Sequence, residues 1–350
     1  MSRRLARLVA TAAALLTFCT FSLGCASASF KDGVVGVELS YFHGREAAWS
    51  PDGKLIAIPA KNGIKLRDVE AGTARTVKAP PQRVFPEPPG RLSWSADGRA
   101  LRYVTTLGPD GKRGSWLTEV RRDGSSLRQV RLGIRVTQTA WARQGWPMAF
   151  STGYYAYDFD KGPLGPNPAL LVVPRFGAAP ITIVRVGREV REATIDEPAF
   201  SPDGERILYQ RSERRTDSIW TVRPDGSNPR RLGPVLVTAF DAAWSPGIGD
   251  TIAYAGVKRG DLRTRLYVVS SAGGKPRRIS DQEILDGPVW SPDGNWVTFS
   301  NYEGEIRRIH PDGTGEEVIA ELPEEEVRGL LWSPDGRRLA YMARPFPESD

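Results

Sequence analysis

Cysteine and histidine are nearly missing from this 350-residue chain, which holds two of each. Cys19 and Cys25 both fall before residue 30, so the rest of the chain contains no disulfide and depends on packing and hydrogen bonds alone. His43 and His310 are widely separated, and His310 adjoins a Pro-Asp-Gly turn. A marked excess of one charge is also lacking. The formal charge of +7 drops once Arg3, Arg4 and Arg7 are set aside, which leaves 45 basic against 41 acidic residues. Those basic residues are spread among Asp and Glu along the whole chain, which argues against the single basic face of a nucleic-acid binder. No Gly-x-Ser-x-Gly pentapeptide occurs, so the nucleophile elbow of an α/β-hydrolase is absent from the sequence.

Residues 1–29 have the layout of an export signal, with a basic start and an uncharged, largely apolar stretch from Leu8 to Leu23. That stretch is short for a membrane span of about 20 residues. Two processing readings stay open. Ala26-Ser27-Ala28 fits ordinary signal peptidase, while Ser22-Leu23-Gly24-Cys25 approximates a lipobox in which Cys25 would be the lipid attachment site. Either reading places the rest, 30–350, outside the cytoplasm as one domain: periplasmic, at the cell surface, or membrane-anchored as a lipoprotein.

What the chain has in abundance is Gly, Pro and Trp (36, 28 and 10), and they are periodic. Trp49-Ser-Pro-Asp-Gly53 recurs as Phe200-Ser-Pro-Asp-Gly204, Trp290-Ser-Pro-Asp-Gly294 and Trp332-Ser-Pro-Asp-Gly336. Trp94-Ser-Ala-Asp-Gly98 lacks the proline, Trp244-Ser-Pro-Gly-Ile-Gly-Asp250 stretches the turn, and Trp141-Ala-Arg-Gln-Gly145 keeps only its ends. The intervals suit one four-stranded propeller blade per copy. Pro, Asp and Gly in this order are the chemistry of a tight hairpin turn. After each turn an apolar pair follows at period two, from Ile56/Ile58 to Leu339/Tyr341, marking a half-buried strand.

A second turn follows in most copies, such as Arg122-Asp-Gly124 and Pro311-Asp-Gly313, and then a short charged strand such as Pro229-Arg-Arg-Leu232 or Pro276-Arg-Arg-Ile279. Charge on an outer strand discourages edge-to-edge pairing. The last copy is short of strands, whereas Val34 to Ser40 form a β-rich segment with no blade of its own. The fold class expected is therefore all-β: a seven-bladed β-propeller whose N-terminal strand completes the last blade.

The aromatic-Ser-Pro-Asp-Gly repeat, with its following apolar-x-aromatic strand, resembles the TolB-like propeller repeat family from about residue 34 to 343. TolB itself carries an additional amino-terminal domain for which this chain has no room, so orthology with TolB is not expected. Some TolB-like propellers are lyases that hold a metal with clustered histidines, a pattern two distant histidines do not reproduce. Related propellers precede serine peptidase domains, whose elbow is missing here.

No catalytic, cofactor-binding or metal residues are expected. Asp158-Phe-Asp160-Lys-Gly162 lacks the later ligands of a calcium loop. Candidate contacts gather three or four residues ahead of the aromatics, at one mouth of the central channel: Arg45, Glu46, Arg91, Gln138, Asp196, Glu197, Asp241, Asp286 and Arg328. The function expected is a non-catalytic binding or scaffold propeller of the bacterial envelope, monomeric, engaging a protein or peptide, with no nucleic acid and no membrane contact beyond its leader. The alternatives are an enzyme using the channel-mouth carboxylates and an accessory subunit of a separate enzyme.

Overall fold

A computed structural model describes residues 30–39, 47–60, 63–78, 92–107, 113–143, 145–152, 157–158, 162–163, 167–187, 190, 193–247 and 250–346. Every regular element among them is a strand. Six four-stranded antiparallel sheets follow the sequence copies in order, and a seventh sheet has three strands. Blades 1 to 6 begin with the innermost strands Ala48–Trp49, Ser93–Trp94, Gln138–Trp141, Thr194–Phe200, Thr238–Trp244 and Ile284–Trp290. Blade 7 consists of Glu325–Trp332, Arg338–Pro345 and, from the other end of the chain, Val35–Leu39.

That last strand closes the ring as expected, and it lies parallel to Arg338–Pro345, with Val35 opposite Arg338 and Leu39 opposite Met342. Around it, the Lys31 N–H donates to the Ile319 carbonyl at 2.9 Å and Asp32 pairs with Arg308, both in blade 6. Val37 and Leu39 share an apolar cluster with Trp49, Ile56 and Ile58 of blade 1 and with Ala340 and Met342 of blade 7. One short segment thus ties three blades together.

The core lies between blades. Ile64 and Leu66 of blade 1 pack with Trp94, Leu101 and Tyr103 of blade 2, and the same pattern repeats around the ring. This corrects one expectation. The second strand of each blade is buried on both faces: not only are Ile56, Leu101 and Ile207 inaccessible, so are the intervening Ala57, Ala149, Leu208 and Ala253. Alanine at four of the seven intervening positions (57, 149, 253 and 340) admits the neighbouring sheet where a half-buried strand would face water.

Each intact turn is closed by its own side chains. In blade 1 the Ser50 hydroxyl donates to Asp52 Oδ1 at 2.5 Å and accepts the Leu55 N–H at 2.9 Å. Ser95, Ser201, Ser291 and Ser333 repeat the arrangement. Gly53, Gly98, Gly204, Gly294 and Gly336 all have φ of 66 to 75°, where an L side chain is strained.

Candidate functional site

Each innermost strand ends on its aromatic, so the residues three and four positions earlier line the channel nearer its opposite mouth. In blades 4 to 7 the strand is interrupted there by a bulge, at Asp196/Ala199, Phe240/Ala243, Asp286/Val289 and Arg328/Leu331. Three residues before the aromatic the backbone turns left-handed: Glu197 (φ 51°), Asp241 (53°), Gly287 (97°) and Gly329 (66°). A bulge aims an extra backbone N–H out of the ladder, and in blades 4, 5 and 7 that group finds a partner in the preceding blade. Gln138 Oε1 of blade 3 accepts the Glu197 N–H, Glu197 Oε2 accepts the Asp241 N–H at 2.7 Å, and Asp286 Oδ2 accepts the Gly329 N–H at 2.7 Å.

The structure therefore brings Gln138, Glu197, Asp241, Asp286 and Arg328 to one belt of the channel wall, and gives each of them a part in joining blades. Asp286 is only 4% exposed. Arg328 donates to Glu326 and, at 3.4 Å, to the Leu285 carbonyl of blade 6. Glu326, itself buried, also pairs with Arg344. Burial opposes ionisation of Glu326, but the two guanidinium groups outweigh it and hold the carboxyl below its usual range. Gln138, Glu197, Asp241 and Arg328 remain partly exposed. Arg45, Glu46 and Arg91 lie outside the described residues, as do Cys25, the whole leader and His43.

A second belt runs one turn away. The indole N–H of Trp94 donates to the Ala48 carbonyl at 3.0 Å, Trp244 to Ala199 at 3.0 Å, Trp290 to Ala243 at 3.1 Å and Trp49 to Leu331 at 3.1 Å. Each acceptor directly precedes the aromatic of the previous blade. At the rim, the Arg pairs do more than guard an edge. Arg230 donates to the Ala272 carbonyl at 2.7 Å, and Arg277 to the Asp312 and Pro311 carbonyls at 2.6 Å, each gripping the outer turn of the next blade.

Elsewhere, Tyr157–Asp158 and Gly162–Pro163 pair as a small hairpin within the longest copy, with Asp160 outside the described residues. His310 stacks on Trp296 at 3.8 Å and its Nδ1 meets the Asn295 carbonyl at 2.9 Å. Among the described residues no three His, Cys, Asp or Glu are grouped to hold a metal.

Repeat, blade count and closure define a seven-bladed β-propeller. It is similar to the TolB-like propellers, a likeness that rests on the repeat motif together with sequence relatives named for TolB. No family model matches the chain. Tol-Pal system protein TolB of Anaeromyxobacter dehalogenans is 27% identical over 143 residues, 40% of this chain and 33% of that protein. An uncharacterized peptidase, YuxL of Bacillus subtilis, is 32% identical over 155 residues, 42% of this chain and 23% of the peptidase. The chain thus spans well under half the length of these relatives. Among solved structures, oligogalacturonate lyase from Vibrio parahaemolyticus shares the fold at a TM-score of 0.61 and 14% identity, covering 87% of this chain and 90% of the lyase. TolB from Acinetobacter baumannii gives 0.50 and 12%, covering 86% and 66%.

These relatives correct the expectation that the chain is no enzyme. A sequence relative carries the name of a peptidase and a whole-length fold neighbour is a lyase, so the absence of an elbow or a histidine cluster does not remove the chain from an enzymatic setting.

Proposed function

We propose that this chain is an exported binding propeller of the bacterial envelope, whose channel mouth receives a cationic segment of a partner or ligand. The observation that carries the reading is the left-handed backbone at Glu197 and Asp241, where blades 6 and 7 have glycine. A non-glycine residue held there costs of order 1–3 kcal/mol. What is gained is a pair of partly exposed acidic residues on the channel wall, in the same belt as Asp196 and Asp286. Such a crescent, backed by apolar blade interfaces, concentrates a field that attracts positive charge. The export-type leader and the TolB relatives support the location.

Titrating the purified chain with a short oligolysine peptide tests the proposal. Saturable binding that weakens with added salt and falls in Asp241→Asn is expected. Equal binding by Asp241→Asn, or none by the native chain, would overturn the channel-mouth reading.

The alignment to a peptidase favours a second reading, in which the propeller presents a substrate to hydrolytic machinery. Peptidase activity that co-purifies with the chain and is lost on its removal would support it.

A further inference from the structure

The repeat fails at two places that are far apart in sequence and adjacent in space. At three blade junctions the turn proline leans on the turn glycine of the next blade: Pro51 lies 3.6 Å from a Cβ built on Gly98, Pro246 3.4 Å from one on Gly294 and Pro292 3.7 Å from one on Gly336. Blade 2 has Ala96 instead of proline, and blade 3, which would receive it, has Ala142-Arg-Gln-Gly145 instead of the whole turn. Between them opens a cleft of about 850 Å³, on the turn face and so on the opposite side from the bulge belt.

Its wall is set by Arg102. Every other blade has Ala, Leu or Thr at this place in the second strand (Ala57, Ala149, Leu208, Ala253, Thr298, Ala340). Arg102 is 9% exposed; its Nε donates to Glu119 at 2.8 Å, its Nη1 to the Gly145 carbonyl at 3.2 Å, and its guanidinium lies 5.2 Å from the Trp146 ring. Glu119 also pairs with Arg128, which sits over Phe176, and Phe176 meets Trp146 edge-on at 6.3 Å. The partly buried Glu119 carboxylate is thereby spent on two arginines. Arg99 and Arg121 add two more guanidinium groups at the lip, where Asp97 is engaged by Ser95 and backbone and lies 3.9 Å from Arg99. Four arginines face two carboxylates, both already bonded.

We propose that this cleft is a binding site for a small oxyanion-bearing ligand, carboxylate or phosphate. Arg121 and Arg99 grip the anion from the lip, and the apolar part of the ligand lies against Trp146. Arg102 and Glu119 act as positioning residues, because their hydrogen bonds are used within the wall. The site is independent of the channel mouth in place and in charge.

Calorimetric titration of the full chain at low salt, with citrate in one arm and inorganic phosphate in the other, tests this. Saturable binding of at least one anion is expected, and the better of the two identifies the oxyanion class. Arg121→Ala should weaken it about tenfold, the loss of one charge-assisted contact. Ala96→Pro restores the repeat and narrows the cleft, so it should also weaken binding while leaving the thermal midpoint unchanged or higher. Absence of saturable binding for both anions overturns the proposal, as does binding equally strong in Arg121→Ala and Ala96→Pro. The oligolysine titration of the channel mouth is unaffected by either result.

Discussion

The Glu197 carboxylate accepts the backbone N–H of Asp241 in the next blade at 2.7 Å, and both residues sit three positions before the aromatic that ends their strand. An acceptor in one blade meets a bulge donor in its neighbour. With the indole-to-carbonyl belt and the rim arginines, blades are joined at the channel, in the middle and at the edge. This supplies by hydrogen bonding what the disulfide-free domain has no covalent means to supply.

Removing the Glu197 acceptor should therefore loosen the joint between blades 4 and 5. Glu197→Ala leaves a partly buried N–H without its partner, a loss of about 1–3 kcal/mol in urea unfolding. Glu197→Gln retains an acceptor and should lose less. Equal losses would show that the interaction is electrostatic rather than a specific joint.

The indole belt predicts an effect separable from packing. Trp94→Phe keeps an aromatic but leaves the Ala48 carbonyl unpaired, at a cost of about 1–2 kcal/mol, while Trp94→Ala should cost about 3–5 kcal/mol. Thermal unfolding of both variants measures the split. A Phe variant as stable as the native chain would remove the hydrogen bond from the account.

Acid should weaken the turns. Hydrogen bonds from Ser50 and Ser95 hold the Asp52 and Asp97 carboxyls below their usual range; at Asp203, Asp293 and Asp335 burial opposes this, but serine and backbone donors prevail. A carboxyl whose pKa is lowered in the folded state contributes stability above the unfolded value of 3.8, and that contribution fades as pH falls through the lower, folded value. Ser50→Ala should reduce stability near neutral pH and flatten its fall between about pH 5 and 2. An unchanged acid slope would contradict the assignment.

The fold was legible because its information is local: a Ser-Pro-Asp-Gly turn and the apolar pair behind it specify a hairpin without reference to distant residues. Closure by Val35–Leu39 was legible from strand shortage, though the parallel pairing was not. The channel belt was legible as a set of positions, but the joining role of Glu197 was not, because it arises from a bulge that pairs residues 44 apart in sequence. The cleft between blades 2 and 3 was missed. Its signal was present in Arg102, a charge where the other copies have Ala, Leu or Thr, but its meaning depends on Gly145 and Trp146 standing opposite, and only the ring places them there.

The central claim is that seven copies form one closed ring, locked where the two ends of the described chain meet. Thermal unfolding of the chain lacking residues 30–39, followed by hydrogen exchange across blades 1, 6 and 7, tests it most directly. Loss of this strand removes the Val37 and Leu39 contacts with Ile56, Ile58 and Met342. The account predicts a lower midpoint for the whole domain, in one transition, with faster exchange in blade 1 as well as in blades 6 and 7. An unchanged midpoint, or exchange that rises only next to the deletion, would show that the ring holds without its lock.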